Sequence, residues 1–210
     1  MKTEWIDWFR EQAQRPYIAE PANISDMVGW EKTMMEIDGQ MIEVWMNPNA
    51  PYLIQVMKVS PPGRPPYYLP MPRRIPGRYE EGYVALPIDK HTQRYLLQVK
   101  QEQGNDPAYN YAVLGPAVQM SSYNYHRLHG DEAPQRAEWV QLVEHWYPIP
   151  QDGGMLIRKY NKVGFLEVED VVLKENERFF TMQEIKDAIW FGLVGDHVLQ
   201  ALGMIKAFRG

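Results

Sequence analysis

At 210 residues with a formal net charge of −5, the chain has the length for one well-buried domain and carries no run of lysines or arginines that a nucleic-acid backbone would require. The absence of cysteine excludes disulfides, thiolate metal sites and a cysteine nucleophile. No apolar run approaches the ~18 residues of a membrane span, and MKTEWIDWFREQ carries charges where an export signal has an apolar core, so a soluble cytoplasmic domain with neither nucleic-acid nor membrane partner is expected.

Trp5, Trp8, Phe9 and Ala13 recur at helical spacing and predict an amphipathic helix over 4–14, ended before Pro16, whose stripe docks on the domain or on another subunit. From Gly29 to Val59 the pattern turns strand-like: Ile42, Val44 and Met46 alternate with Met41, Glu43 and Trp45, and Asn47-Pro48-Asn49 marks a turn. Residues 60–78 hold seven of the 17 prolines, which predicts an extended loop rather than a sheet strand. In that loop Arg64, Arg73, Arg74 and Arg78 interleave with Tyr67, Tyr68 and Tyr79; they can clamp a phosphate and stack a base, or the segment can be a solvated linker or dimer arm. Residues 83–88 and 94–102 read as a hairpin around Asp89-Lys90-His91.

Trp139, Leu142, Val143 and Trp146 predict a helix between Pro134 and Pro148, and residues 155–160 with 162–168 read as a further hairpin. Thr181 and Glu184 form a capping box that opens a helix with Met182, Ile185 and Ile189 facing inward. Asp196 caps a last helix with Val198, Leu202 and Ile205 on its apolar face. This order of strands and helices predicts a single α+β sandwich over residues 1–210.

The densest polar pattern lies between Tyr95 and His129. In the first run Tyr95, Leu97 and Val99 share one strand face, and Leu96, Gln98, Lys100 and Glu102 share the other, before a turn at Gly104-Asn105. The second run places Gln119, Ser121 and Tyr123 opposite Val118 and Met120. An amide, an ammonium and a carboxylate in a row are more than a packed strand needs, and two such rows in one sheet can converge on a ligand. The same Lys100 and Glu102 can equally form an ion pair on a solvated face.

These two runs resemble the NDP-hexose 2,3-dehydratase family of deoxysugar biosynthesis. Its Q-x-K-x-E-x-G-N pattern is matched by Gln98, Lys100, Glu102, Gly104 and Asn105, and its approximate P-T-V-Q-A-T-R-S-N-Y-T-R-V-H signature by the stretch from Pro116 through Gln119, Ser121, Asn124, Tyr125 and Arg127 to His129. Weaker likeness covers Gly29-Trp30, residues 154–161 and residues 180–185. Ser122 stands where the family has an arginine, and no arginine appears around Asp196-His197-Val198.

The resemblance implies a Nudix-like fold, a mixed or antiparallel sheet flanked by helices. Glu138 and Glu144, six apart on opposed helix faces, do not make the R-E-x-x-E-E set of a Nudix hydrolase, and His126 and His129 lack further zinc ligands. The resemblance therefore implies a lyase that removes the 2-hydroxyl of an NDP-4-keto-6-deoxyhexose with neither metal nor cofactor. Such chemistry needs a base for the C3 proton, donors for the enolate oxygen and an acid for the departing hydroxyl. Glu102 is expected as the base, Tyr125 or His129 as the acid, and Lys100 with Gln98 near the carbonyl. Arg127 and Arg158 would hold the diphosphate, Arg74 and Tyr68 would reach in from the proline-rich loop, and Asn105, Gln119, Ser121 and Asn124 would complete the substrate contacts. Family members are built from two similar halves, so this one-half chain is expected to form a homodimer. A non-catalytic nucleotide or nucleotide-sugar binder, for example a phage or defence-related protein that sequesters a nucleotide-derived signal, is the other expectation.

Overall fold

The computed structural model describes residues 4–50, 52–75, 81–102, 105–126, 134–150 and 159–209. Helix α1 (Glu4–Ala13) buries Trp5, Phe9 and Ala13 in the main core, where the Trp5 and Trp8 rings meet Phe180 at 6.3 and 5.8 Å. Of the two dockings its spacing allowed, the helix takes its own domain, so this stripe is not offered to a second subunit.

Strands β1 (Glu31–Ile37), β2 (Gln40–Met46), β3 (Tyr52–Val59) and β4 (Tyr67–Arg74) form a four-stranded antiparallel meander in that order. Asp38 and Gly39 both take positive φ, 54° and 78°, in the two-residue turn between β1 and β2. Ile37, Val44 and Leu53 make a small core on one face, and on that face Arg73 bonds the Asp38 carboxylate at 3.1 Å and Gln55 Oε1 at 3.2 Å. Strand β4 corrects the expectation of a strandless proline-rich segment. It pairs with β3 over eight register positions, and it is an edge strand. Pro70 and Pro72 are two apart and so share one backbone orientation, in which the missing N–H can face the free edge without cost to the ladder.

The second sheet contains β5 (Glu81–Asp89), β6 (Tyr95–Gln101), β7 (Ala112–Pro116), β8 (Val118–Ser121), β9 (Tyr147–Pro150), β10 (Tyr160–Val168) and β11 (Glu177–Phe180). Its order is β11-β6-β5-β10-β9, with β7 beside β6 and β8 beside β5, and all pairs are antiparallel except β5 with β10. The architecture is thus mixed α+β with two mostly antiparallel sheets. At the tip of the β5–β6 hairpin the Asp89 carboxylate accepts from the Thr92 N–H at 2.6 Å, the Thr92 hydroxyl at 2.7 Å and the His91 N–H at 3.1 Å. Beyond the tip the two strands part: Ile88 opposite Tyr95 is their single register pair. Strand β6 then continues with β7, β5 continues with β8, and the chain crosses between them at Ala117.

Two further expectations are corrected. The turn expected between residues 160 and 162 is absent, because 160–168 run as one continuous strand that pairs antiparallel with β9, and residues 151–158, which hold most of the expected first arm, lie outside the described residues. Between Pro134 and Pro148 the chain forms a 3₁₀ helix, Ala137–Leu142, rather than an α-helix. Its start is pinned by Arg136, which holds Glu177 from a left-handed backbone at φ 59°, and at its end Val143 crowds Gly164 of β10.

Three further α-helices are present among the described residues: α2 (Ser122–Tyr125), α3 (Met182–Trp190) and α4 (Asp196–Arg209). The capping box forms as expected, Glu184 accepting from the Thr181 N–H at 2.8 Å and Thr181 Oγ1 from the Glu184 N–H at 3.2 Å. The buried stripe of α3 is Ile185 and Ala188, while Met182 and Ile189 are exposed, which rotates the inward face from that expected. Helix α4 buries Val198 and Ala201 against the main core, with Leu202 and Ile205 packed at its margin. Among the described residues no helix is long and apolar enough to cross a membrane.

Candidate functional site

The parting of β5 from β6 opens a cleft of about 900 Å³. Lys100 and Glu102 reach it from the end of β6, Gln119 and Ser121 from β8, Asn124 from α2, Asn161 from β10, and Asp196 and His197 from the start of α4. Leu69–Pro72 of β4 line another side, so the wall combines polar groups from the second sheet with apolar and proline surface from the first.

Glu102 is fixed by its backbone. Its N–H donates to Tyr111 O at 3.0 Å, and its carbonyl accepts from the Asn105 N–H at 3.0 Å, tying the end of β6 to the start of β7. Its Oε1 accepts from Lys100 Nζ at 3.2 Å and from Gln119 Nε2 at 3.3 Å. Burial pushes the carboxyl up, but the Lys100 charge and hydrogen bond, the charge that His197 carries when its ring is protonated and the Gln119 amide together outweigh it and hold the group below its ordinary value. Glu102 is therefore an anion at neutral pH. Gly115 on β7 makes the arrangement possible: a Cβ there would stand 3.0 Å from Lys100 Cδ and 3.1 Å from Gln119 Oε1.

Across the cleft, Asn161 is 1% exposed and places its Nδ2 3.1 Å from His197 Nε2. Asn161 lies opposite Gly82 on β5, where any Cβ would collide with its Oδ1. Among the described residues no group of three or more His, Asp or Glu side chains is arranged to hold a metal.

Of the residues singled out in the sequence, Lys100, Glu102, Asn105, Gln119, Ser121 and Asn124 come together in the cleft. Ser121 also caps α2, its Oγ accepting from the Asn124 N–H at 3.1 Å. Others stand elsewhere. Gln98 is buried and donates to the carbonyls of Pro116 and Ala117 at 2.8 and 3.1 Å, which fastens the crossing from β7 to β8. Leu96 is buried as well, so only the end of the expected polar row is displayed. Tyr125 packs on Tyr83 at 5.3 Å, within a cluster that includes Trp146.

Tyr68 is exposed, and Arg74 is buried, its guanidinium pulled down by burial with Tyr52 opposing. Neither lines the cleft, although Leu69–Pro72 between them do. Arg127, His129 and Arg158 lie outside the described residues. Asn161, His197 and Lys159 line the cleft without having been expected as site residues. An asparagine inside a strand was the available signal for Asn161, because that residue type is depleted in strands.

No protein-family model matches the chain, and no curated protein matches it significantly.

Proposed function

We propose that the cleft binds a nucleotide sugar and that the chain is a Nudix-like lyase similar to the NDP-4-keto-6-deoxyhexose 2,3-dehydratases. The observation that carries this reading is the ionised Glu102, held by its backbone in a polar cleft beside a lysine. A carboxylate so placed can take the C3 proton of a 4-keto sugar while the Lys100 ammonium faces the developing enolate oxygen. Collapse of the enolate forms the C2–C3 double bond and expels the 2-hydroxyl. The carboxylic acid formed at Glu102 can return its proton to that hydroxide, so the net change is loss of one water.

Lys100 serves both states. In the empty cleft it lowers the basicity of Glu102, and a keto oxygen that takes its hydrogen bond releases the carboxylate for proton abstraction. A freshly generated dTDP-4-keto-6-deoxyglucose should then lose 18 mass units in the presence of EDTA (~one water per sugar, as the elimination requires). A substrate recovered unchanged at millimolar enzyme counts against the lyase.

One observation favours the second reading, a non-catalytic nucleotide or nucleotide-sugar binder. Ser122 at the family's arginine position is buried, and its hydroxyl finds no hydrogen-bond partner among the described residues, so it supplies no anion contact. Calorimetry against dTDP, UDP, GDP and ADP separates the outcomes: binding without turnover selects the binder, and absence of binding rejects both. A two-chain assembly belongs to the same proposal, without support from α1, and light scattering at micromolar concentration tests it.

A further inference from the structure

We propose that His197, presented as a neutral imidazole by Asn161, is a second hydrogen-bond donor, beside Lys100, to the oxyanion that forms when a keto sugar is deprotonated in the cleft. This rests on the reading of the cleft as a keto-sugar site and adds a residue that neither sequence pattern contains.

The argument begins at Gly82. Its φ is ordinary, so space rather than backbone freedom requires the glycine: a Cβ would occupy the position of Asn161 Oδ1. The hole lets a buried amide sit inside a strand, and that amide is directed at His197, with Nδ2 3.1 Å from Nε2. An amide nitrogen only donates, so Nε2 must accept, and a neutral imidazole with an accepting Nε2 carries its hydrogen on Nδ1.

The surroundings favour keeping that form. His197 is the second residue of the 14-residue α4, where the helix N-terminus disfavours a second proton on the ring. Among the described residues, the charged groups that line the cleft with it are Lys100 and Glu102 at the end of β6, Lys159 just before β10, and Asp196 on α4 itself. Glu102 favours the imidazolium, but its charge is offset by Lys100 at 3.2 Å. A carboxylate base with a neutral imidazole at a helix N-terminus is an arrangement suited to enolisation, because a neutral donor stabilises the oxyanion without protonating it.

In the step, Glu102 takes the C3 proton, the C–H electron pair forms the C3–C4 double bond, and the carbonyl pair moves onto O4. Nδ1–H donates to O4 and keeps its proton. The carbonyl then re-forms, the C2–C3 double bond is made, the C2–O bond breaks, and the hydroxide leaves as water with the proton carried by Glu102. His197 is thus a catalytic residue and Asn161 its positioning residue.

Long-range ¹H–¹⁵N spectra of the labelled whole chain at neutral pH test the positioning directly. His197 is expected to show a protonated Nδ1 and an unprotonated Nε2, and Asn161→Asp, which can only accept, is expected to move the proton to Nε2. Deuterium exchange at C3 of dTDP-4-keto-6-deoxyglucose tests the catalytic role: His197→Ala should slow exchange about 100- to 1000-fold with KM changed far less, as for loss of one oxyanion donor. Asn161→Asp should lower kcat and alter its pH profile, while Asn161→Gln should restore neither. Circular dichroism and dTDP affinity report whether each variant is folded. An Nε2–H or imidazolium ring in the wild type overturns the inference, as does wild-type exchange by folded His197→Ala. Absence of exchange in the wild type overturns the functional reading itself, which the spectra distinguish from failure of the His197 assignment.

Discussion

Gln119 Nε2 donates to Glu102 Oε1 at 3.3 Å, joining β8 to β6 although neither strand pairs with the other. The bond spans the gap left where β5 and β6 diverge. It also shows how Gly115 is used, since a side chain there would press on both Lys100 and Gln119. Glu102→Gln keeps the shape of this junction and removes its charge. The ion pair it breaks is partly exposed, at 26% and 44% for the two side chains, so unfolding stability should fall by less than about 1 kcal/mol. Turnover should fall by about two to four orders of magnitude, as for loss of a general base. Urea denaturation alongside C3 exchange checks the pair of effects, and a large stability loss would make Glu102 structural.

The acid limb of activity should be set by Lys100. A base must be ionised, so activity that depends on Glu102 should be lost as pH drops through its depressed value, below the ordinary 4.5. Burial is the largest influence on this carboxyl and pushes it up; Lys100 is the leading influence against it. Lys100→Met should therefore shift the acid limb to higher pH. A limb that stays put in this variant assigns the titration to another group.

A second carboxylate governs stability. Glu177 is fully buried and meets Arg136 twice, Nη2 at 2.5 Å and Nε at 3.0 Å, with Gln135 and the Lys174 N–H completing its shell at 2.6 and 2.9 Å. Burial pushes this carboxyl up, yet the hydrogen bonds from Arg136, Lys174 and Gln135 and the Arg136 charge hold it below the ordinary 4.5. The folded-state value is depressed, so its stabilisation is present above the unfolded-state value and lost as pH falls through the folded one. Arg136→Ala should cost about 3–5 kcal/mol at neutral pH by leaving a buried charge unpaired. Stability measured against pH should then decline less on acidification, because the variant no longer holds the proton off. A loss under 1 kcal/mol would show that the network is not a keystone.

Gly164 of β10 should tolerate no side chain. A Cβ there would stand 2.6 Å from Val143 Cγ1 and 2.9 Å from the His145 carbonyl oxygen, and the carbonyl cannot rotate away as a side chain could. Gly164→Ala should cost about 1–3 kcal/mol as an overpacked core. Thermal unfolding that matches wild type would mean that the 3₁₀ segment beside β10 yields easily.

The strands and helices were legible in the sequence wherever a local period or cap dictates them. The Thr181–Glu184 box, the alternation through Val44 and the helical stripe of Trp5 and Phe9 all appear in the fold. What failed did so because tertiary context decided it. Prolines 70 and 72 enter a strand because that strand is an edge, which a single segment cannot reveal. The 134–148 helix gives way to a 3₁₀ turn because Arg136 is claimed by Glu177, 41 residues away.

The site was half legible for the same reason. Lys100, Glu102, Gln119 and Ser121 converge as their two runs implied, but period-two reading alone could not tell that Gln98 faces the β7–β8 crossing. Nor could it connect Asn161 and His197, which meet only because β10 lies parallel to β5 and α4 begins beside it.

Deuterium incorporation at C3 of a freshly generated NDP-4-keto-6-deoxyhexose, with EDTA present and read by NMR, tests the account most directly. Wild type should introduce deuterium at C3 of the unreacted substrate ahead of water loss, and Glu102→Gln should neither exchange C3 nor release water while binding dTDP nearly as well. A wild-type protein that binds the nucleotide but leaves C3 protonated on every keto sugar offered would contradict it.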